Sequence, residues 1–132
     1  MNEKLKCVML IDDSSDNNFF HQREIKKANL VNSVIIHNSG LDALAYLKSS
    51  QEPHADLIFL DINMPLMNGW EFLEEYNLLG KDLQGRAIII MLTTSDHPAD
   101  IKRTKTWDFV SDYRIKPLTS AIMNDIMAKY FQ

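Results

Sequence analysis

Residues 56–69 read DLIFLDINMPLMNG. The run Leu57, Ile58, Phe59, Leu60 is apolar at every position, the pattern of a strand covered on both faces. It ends on a carboxylate, Asp61, and Pro65 stiffens the chain shortly afterwards. An acid at the tip of a core strand is costly unless something answers its charge. The other strands must supply that answer.

Four further apolar runs occupy 7–11, 33–36, 87–92 and 109–115. Most are continuous, as two-sided burial requires. The last, FVSDYRI, alternates and reads as an edge strand with one wetter face.

Helical patterns fill the gaps. Residues 15–30 carry Phe19, Ile25, Ala28 and Leu30 among polar residues, with Ser14, Ser15 or Asp16 available as cap. In 40–50, Leu41, Leu44, Ala45 and Leu47 fall near one face. In 69–80, Trp70, Leu73, Tyr76 and Asn77 do so, with Gly80 as a stop. Residues 97–107 begin with Pro98 at a first helical position and are the most polar of the set. Their Lys102, Arg103 and Lys105 read as a solvated face. The stripe Ile122, Met123, Ile126, Met127, Tyr130 reads as core.

Strand followed by helix, five times over, predicts an α/β domain with a parallel sheet and right-handed crossovers. Residues 1–132 read as one domain, without a linker, a repeat or an output domain. A net charge of −4 disfavours direct nucleic-acid binding. No apolar run approaches the roughly 20 residues of a membrane span, so no membrane insertion is expected. The first residues lack the features of a signal peptide. Cys7 has no partner for an internal disulfide and begins an apolar run, which fits a buried hydrophobe in a reducing, cytoplasmic setting.

In a parallel sheet the strand ends of one polarity share an edge, and ligands bind at the carboxyl ends. The residues after each run therefore meet. They are Asp12 and Asp13 after the first, His37 and Asn38 after the second, and Asp61 after the third. Thr93, Thr94 and Ser95 follow the fourth, and Lys116 with Pro117 the fifth. Each alone suits a cap or a turn; acids, hydroxyls and one ammonium at four strand ends are a constellation.

Close carboxylates repel, so the group calls for protons or a cation. Mg²⁺, an oxygen-seeking ion, suits two or three carboxylates with waters and a phosphate oxygen. A carboxylate held ionised there can attack phosphorus and form an acyl phosphate. Catalysis would then be positioning plus electrostatics, with Lys116 and Thr93 completing the cradle.

On these residues the chain resembles a response-regulator receiver domain of two-component signalling. The motifs are VMLIDDS, LDINMPLMNG, MLTTS and YRIKPL, and the resemblance spans essentially the whole chain. It implies a flavodoxin-like, doubly wound sheet of five parallel strands in the order 2-1-3-4-5 with five helices. It also implies roles: Asp61 as phosphoacceptor and metal ligand, Asp12 and Asp13 as the acidic pair holding Mg²⁺, with Asp13 the more direct ligand, and Asn63 lending a backbone carbonyl to the metal. Thr93 matches the hydroxyl that moves towards the phosphoryl group and Lys116 the ammonium that pairs with it. Pro117 matches a proline usually preceded by a cis bond, and Tyr113 the aromatic switch residue.

Pro65 and the pair Asn68-Gly69 suit a loop that must turn tightly behind Asp61, since Asn and Gly tolerate positive φ. Thr94 stands where the family prefers a smaller residue, and KTWDFVSDY lacks the usual Gly-containing turn. The implied function is a single-domain regulator, not an enzyme with an external substrate. It would take its phosphoryl group from a histidine kinase or histidine phosphotransfer protein and switch its affinity for an unknown downstream protein. The alternatives are a receiver-like interaction module indifferent to phosphorylation, and a haloacid-dehalogenase-type phosphatase. The phosphatase would need an acid where Asn63 stands.

Overall fold

A computed structural model describes residues 4–85 and 87–131. The strands are β1 (Leu5–Ile11), β2 (Val31–His37), β3 (Leu57–Leu60), β4 (Ile88–Thr93) and β5 (Val110–Ile115). The helices are α1 (Ser15–Ala28), α2 (Gly40–Lys48), α3 (Gly69–Leu78), α4 (Lys81–Gln84), α5 (Pro98–Thr104) and α6 (Ser120–Tyr130). All pairings are parallel and the sheet order is β2-β1-β3-β4-β5, as expected. The expected five helices become six among the described residues, because Gly80 starts the single turn α4 instead of only ending α3. Four residues are too few for a 3.6-residue period to register.

Alternate residues of each central strand serve opposite faces. Met9, Ile11, Ile58, Leu60, Ile89 and Met91 pack under α2 and α3 with Leu44, Phe72, Leu73 and Tyr76. Val8, Leu10, Phe59, Ile90 and Leu92 pack under α1 and α6 with Ile25, Met123, Ile126 and Met127. Burying such side chains is worth roughly 1.5–3 kcal/mol each. Cys7 is buried as well. The edge strands β2 and β5 are only half covered.

Side-chain caps set where the helices begin. Ser14, Ser39 and Thr119 accept from Asn17, Asp42 and Ile122 backbone N–H groups. Asn68 and Glu71 form a reciprocal capping box at α3. Pro98 opens α5, with His97 Nδ1 accepting from Ala99 N–H.

Three helix faces depart from expectation. In α2 Leu41 and Ala45 are exposed and Ala43 is buried in their place. In α1 the buried residues are Asn18, His21 and Ile25, whereas Phe19 is 67% exposed. In α3 Phe72 is buried and Asn77 is exposed. Among the described residues no helix is long and apolar enough to cross a membrane.

Candidate functional site

The carboxyl ends of β1, β3, β4 and β5 bring the expected residues to one rim. The ladders continue past the strands: Asp12 N–H donates to His37 O at 3.2 Å and Asp61 N–H to Ile11 O at 3.1 Å. Lys116 N–H donates to Thr93 O at 2.8 Å, so ammonium and hydroxyl leave neighbouring points of the sheet. Carboxylate oxygens of Asp12, Asp13 and Asp61 lie within 4.8 Å of one another. Asp12 and Asp61 are buried, Asp13 is exposed, and Thr93 is fully buried.

Lys116 Nζ bonds Asp12 Oδ2 directly and stands 3.4 Å from Asp61 Oδ2. The buried Lys116 side chain thus answers two acids at once. Burial pushes the Asp61 carboxyl above the usual range; Lys116 pulls it down and Asp12 pushes it further up. Asp61 Oδ1 accepts from Ile62 N–H at 2.9 Å, which aims the carboxylate. Asp12 Oδ1 accepts from Ser14 N–H at 2.9 Å.

Three carboxylate oxygens, with no thiol or imidazole among them, are a donor set for a hard divalent cation. They fit Mg²⁺ by chemistry. Asn63 lies two residues past Asp61 in the exposed loop towards α3.

In that loop the tolerance of Asn68 and Gly69 for positive φ goes unused. Asn68 has φ −80° and serves as a cap, and Gly69 lies in α3 outside the left-handed region. The positive φ falls on Leu66, at 69°. Gly69 is needed for space: its N–H donates to Ile62 O at 2.8 Å, and a Cβ there would meet the Asp61 carbonyl oxygen at 2.5 Å.

Further along the rim, Tyr113 is half-buried and donates to Ser95 O at 2.6 Å. Its hydroxyl thereby ties β5 to the segment following Thr93. Burial raises its pKa, with the Ser95 bond opposing. The β4–β5 register slips by one residue, from Ile89↔Val110 to Ile90↔Asp112, so Ser111 is the extra residue of a bulge. Trp107, half-buried, packs against the core beside Phe109, and Arg103 lies over the Trp70 ring at 4.6 Å. Thr94 is exposed. The Lys116–Pro117 bond is cis, as the resemblance implied.

Asn18 and His21 went unnoticed in the sequence, yet both are buried beside the acids. Their spacing of three residues, continued by Ile25 and Ala28, is the signal that could have found them.

The response regulator receiver domain model matches residues 8–128. The chain belongs to that family. Among individual relatives, response regulator Rcp1 of Synechocystis sp. is 33% identical over 100 residues, covering 73% of this chain and 67% of that protein. A two-component response regulator from Cytophaga hutchinsonii superposes with a TM-score of 0.88 at 29% identity, over 96% of this chain and 97% of that one. The Mn²⁺-bound form of response regulator Rcp1 superposes with a TM-score of 0.77 at 27% identity, over 96% and 95%. Receiver domains are signalling proteins rather than conventional enzymes, and they act between histidine kinases and downstream effectors.

Proposed function

We propose that this receiver accepts a phosphoryl group on Asp61 from a phosphohistidine donor, in a Mg²⁺-dependent reaction, and thereby switches its affinity for a downstream protein. The observation that carries this reading is the gathering of Asp12, Asp13 and Asp61 oxygens within 4.8 Å, with Lys116 set between two of the acids.

An Asp61 carboxylate oxygen attacks phosphorus while the phosphorus–nitrogen bond to the donor imidazole breaks. The bonding pair returns to the ring nitrogen and an acyl phosphate remains. Asp12, Asp13, Asp61 and the Asn63 carbonyl would hold Mg²⁺, which when bound offsets charge on the carboxylates and on the transferring oxygens. Lys116 leaves Asp12 for a phosphoryl oxygen, and the Thr93 hydroxyl takes another. Thr93 sits at the strand end next to the Tyr113–Ser95 bond, so its movement reaches the α5–β5 face. Phosphorylation then shifts a pre-existing equilibrium of that face. Water later cleaves the acyl phosphate within the same site. The reading places the chain in the cytoplasm with its kinase. The Mn²⁺ in the Rcp1 structure supports a divalent cation in a related domain.

Incubation with Mg²⁺ and a small phosphodonor should add one phosphoryl mass to the protein. Asp61→Asn should carry none. A variant that still gains the increment assigns the acceptor elsewhere.

A further inference from the structure

Behind the acidic pair lies a cavity of about 10 Å³ lined by Asp12, Asn18, His21 and Asp61 together with apolar strand residues. That volume is about enough for one water. Asn18, 2% exposed, donates from Nδ2 to the Asp12 carbonyl oxygen at 2.8 Å and to Asn38 Oδ1 at 3.3 Å. One side chain thus pins the turn bearing both acids of the pair to the loop after β2. Its Oδ1 is buried with no partner among the described residues, and such an acceptor costs about 1–3 kcal/mol if left dry. His21, also 2% exposed, lines the same cavity from the next turn of α1. Two fully buried polar side chains on a face that apolar residues would fill more cheaply need a reason: Asn18 bonds the Asp12 main chain, and His21 lines the same cavity as Asp12 and Asp61.

We propose that Asn18 and His21 are positioning residues for phosphoryl acceptance. They hold the main chain and carboxylate of Asp12, directly and through one water bound to Asn18 Oδ1, in the orientation that Mg²⁺ and Lys116 both require. The proposal rests on the reading of Asp61 as phosphoacceptor beside a Mg²⁺ site. Partners that orient metal ligands from behind typically change affinity or activity by about 10–100-fold when removed.

The test is Mg²⁺ affinity by calorimetry together with the rate of Asp61 phosphorylation by a small phosphodonor, for Asn18→Ala, His21→Leu and His21→Asn. Asn18→Ala and His21→Leu should each weaken Mg²⁺ binding about tenfold and slow phosphorylation at subsaturating metal. His21→Asn, which keeps a polar group towards the cavity, should recover most of the loss; a merely space-filling role would favour Leu instead. Wild-type Mg²⁺ affinity in folded Asn18→Ala overturns the proposal. Should Asn18→Ala not fold, equal Mg²⁺ affinity in the two His21 variants overturns it. A wild-type protein that binds Mg²⁺ but gains no phosphoryl group refutes the phosphoacceptor reading instead, and the affinity comparison still decides this one.

Discussion

A Cβ on Gly69 would stand 2.5 Å from the main-chain oxygen of Asp61 and 2.9 Å from the Cα of Ile62. Both neighbours are backbone, which cannot rotate away. The first turn of α3 is therefore pressed against the proposed phosphoacceptor, and the Gly69 N–H to Ile62 O bond locks that contact. Gly69→Ala must push the loop outwards. Forcing a group into a packed site costs about 1–3 kcal/mol, so urea melts should record a loss of that size. Phosphorylation of Asp61 should slow with it. An unchanged midpoint would mean that loop and helix are free to separate.

Lys116 is the buried cation between Asp12 and Asp61. Removing it leaves two buried carboxylates facing each other without it. Breaking such a pair from one side typically costs about 3–5 kcal/mol. Lys116→Ala should therefore lose about 3 kcal/mol in metal-free buffer, and Mg²⁺ should return part of it by answering the same charges. Lys116 also holds the Asp61 carboxyl down, so its pKa should rise further in the variant. Chemical denaturation with and without Mg²⁺ measures the first effect, and NMR titration of the carboxyl the second.

Asp61 contributes a pH dependence of definite sign. Burial, outweighing Lys116, raises its folded pKa above the ordinary 3.8. The folded protein then binds the proton more tightly than the unfolded chain, so stability falls as pH rises from about 3.8 through the raised value. Asp61→Asn removes that titration while keeping an oxygen for Ile62 N–H. In chelator-containing buffer the variant should match the wild type well below pH 3.8, gain on it through the acid range, and stay ahead at neutral pH. An advantage that shrinks with rising pH would contradict the assignment.

The site was legible because its residues follow apolar runs directly. Period and strand polarity alone place Asp12, Asp61, Thr93 and Lys116 on one edge. What escaped notice was polar burial. Asn18 and His21 looked like the wet side of α1, since amides and imidazoles ordinarily face water, and Phe19 looked like its core. The structure inverts this because α1 packs beside the charged rim, where hydrogen-bond demand outweighs apolar filling. The β5 bulge shows in the sequence only as the missing Gly-containing turn before FVSDYRI, which unsettles the register without fixing where the extra residue falls. Turn composition leaves the use of each residue open. Asn68 and Gly69 have the composition of a left-handed turn, but capping uses the first and close packing the second.

The left-handed residue is instead Leu66, with φ 69° and 91% of its surface exposed. A Cβ in that region costs roughly 1–2 kcal/mol. The exposed leucine side chain has little packing with which to recover it. Glycine would relieve the strain while adding about 0.5–1 kcal/mol of unfolded-chain entropy. Leu66→Gly should therefore stabilise the protein by about 0.5–1 kcal/mol on balance. Leu66→Ala, which keeps the Cβ, should leave stability nearly unchanged. Thermal melts of the pair separate backbone strain from side-chain contact: equal midpoints would show that the loop carries no strain at this position. A stabilised Leu66→Gly that phosphorylates more slowly would show that the strained loop is held for the sake of Asp61, five residues before it.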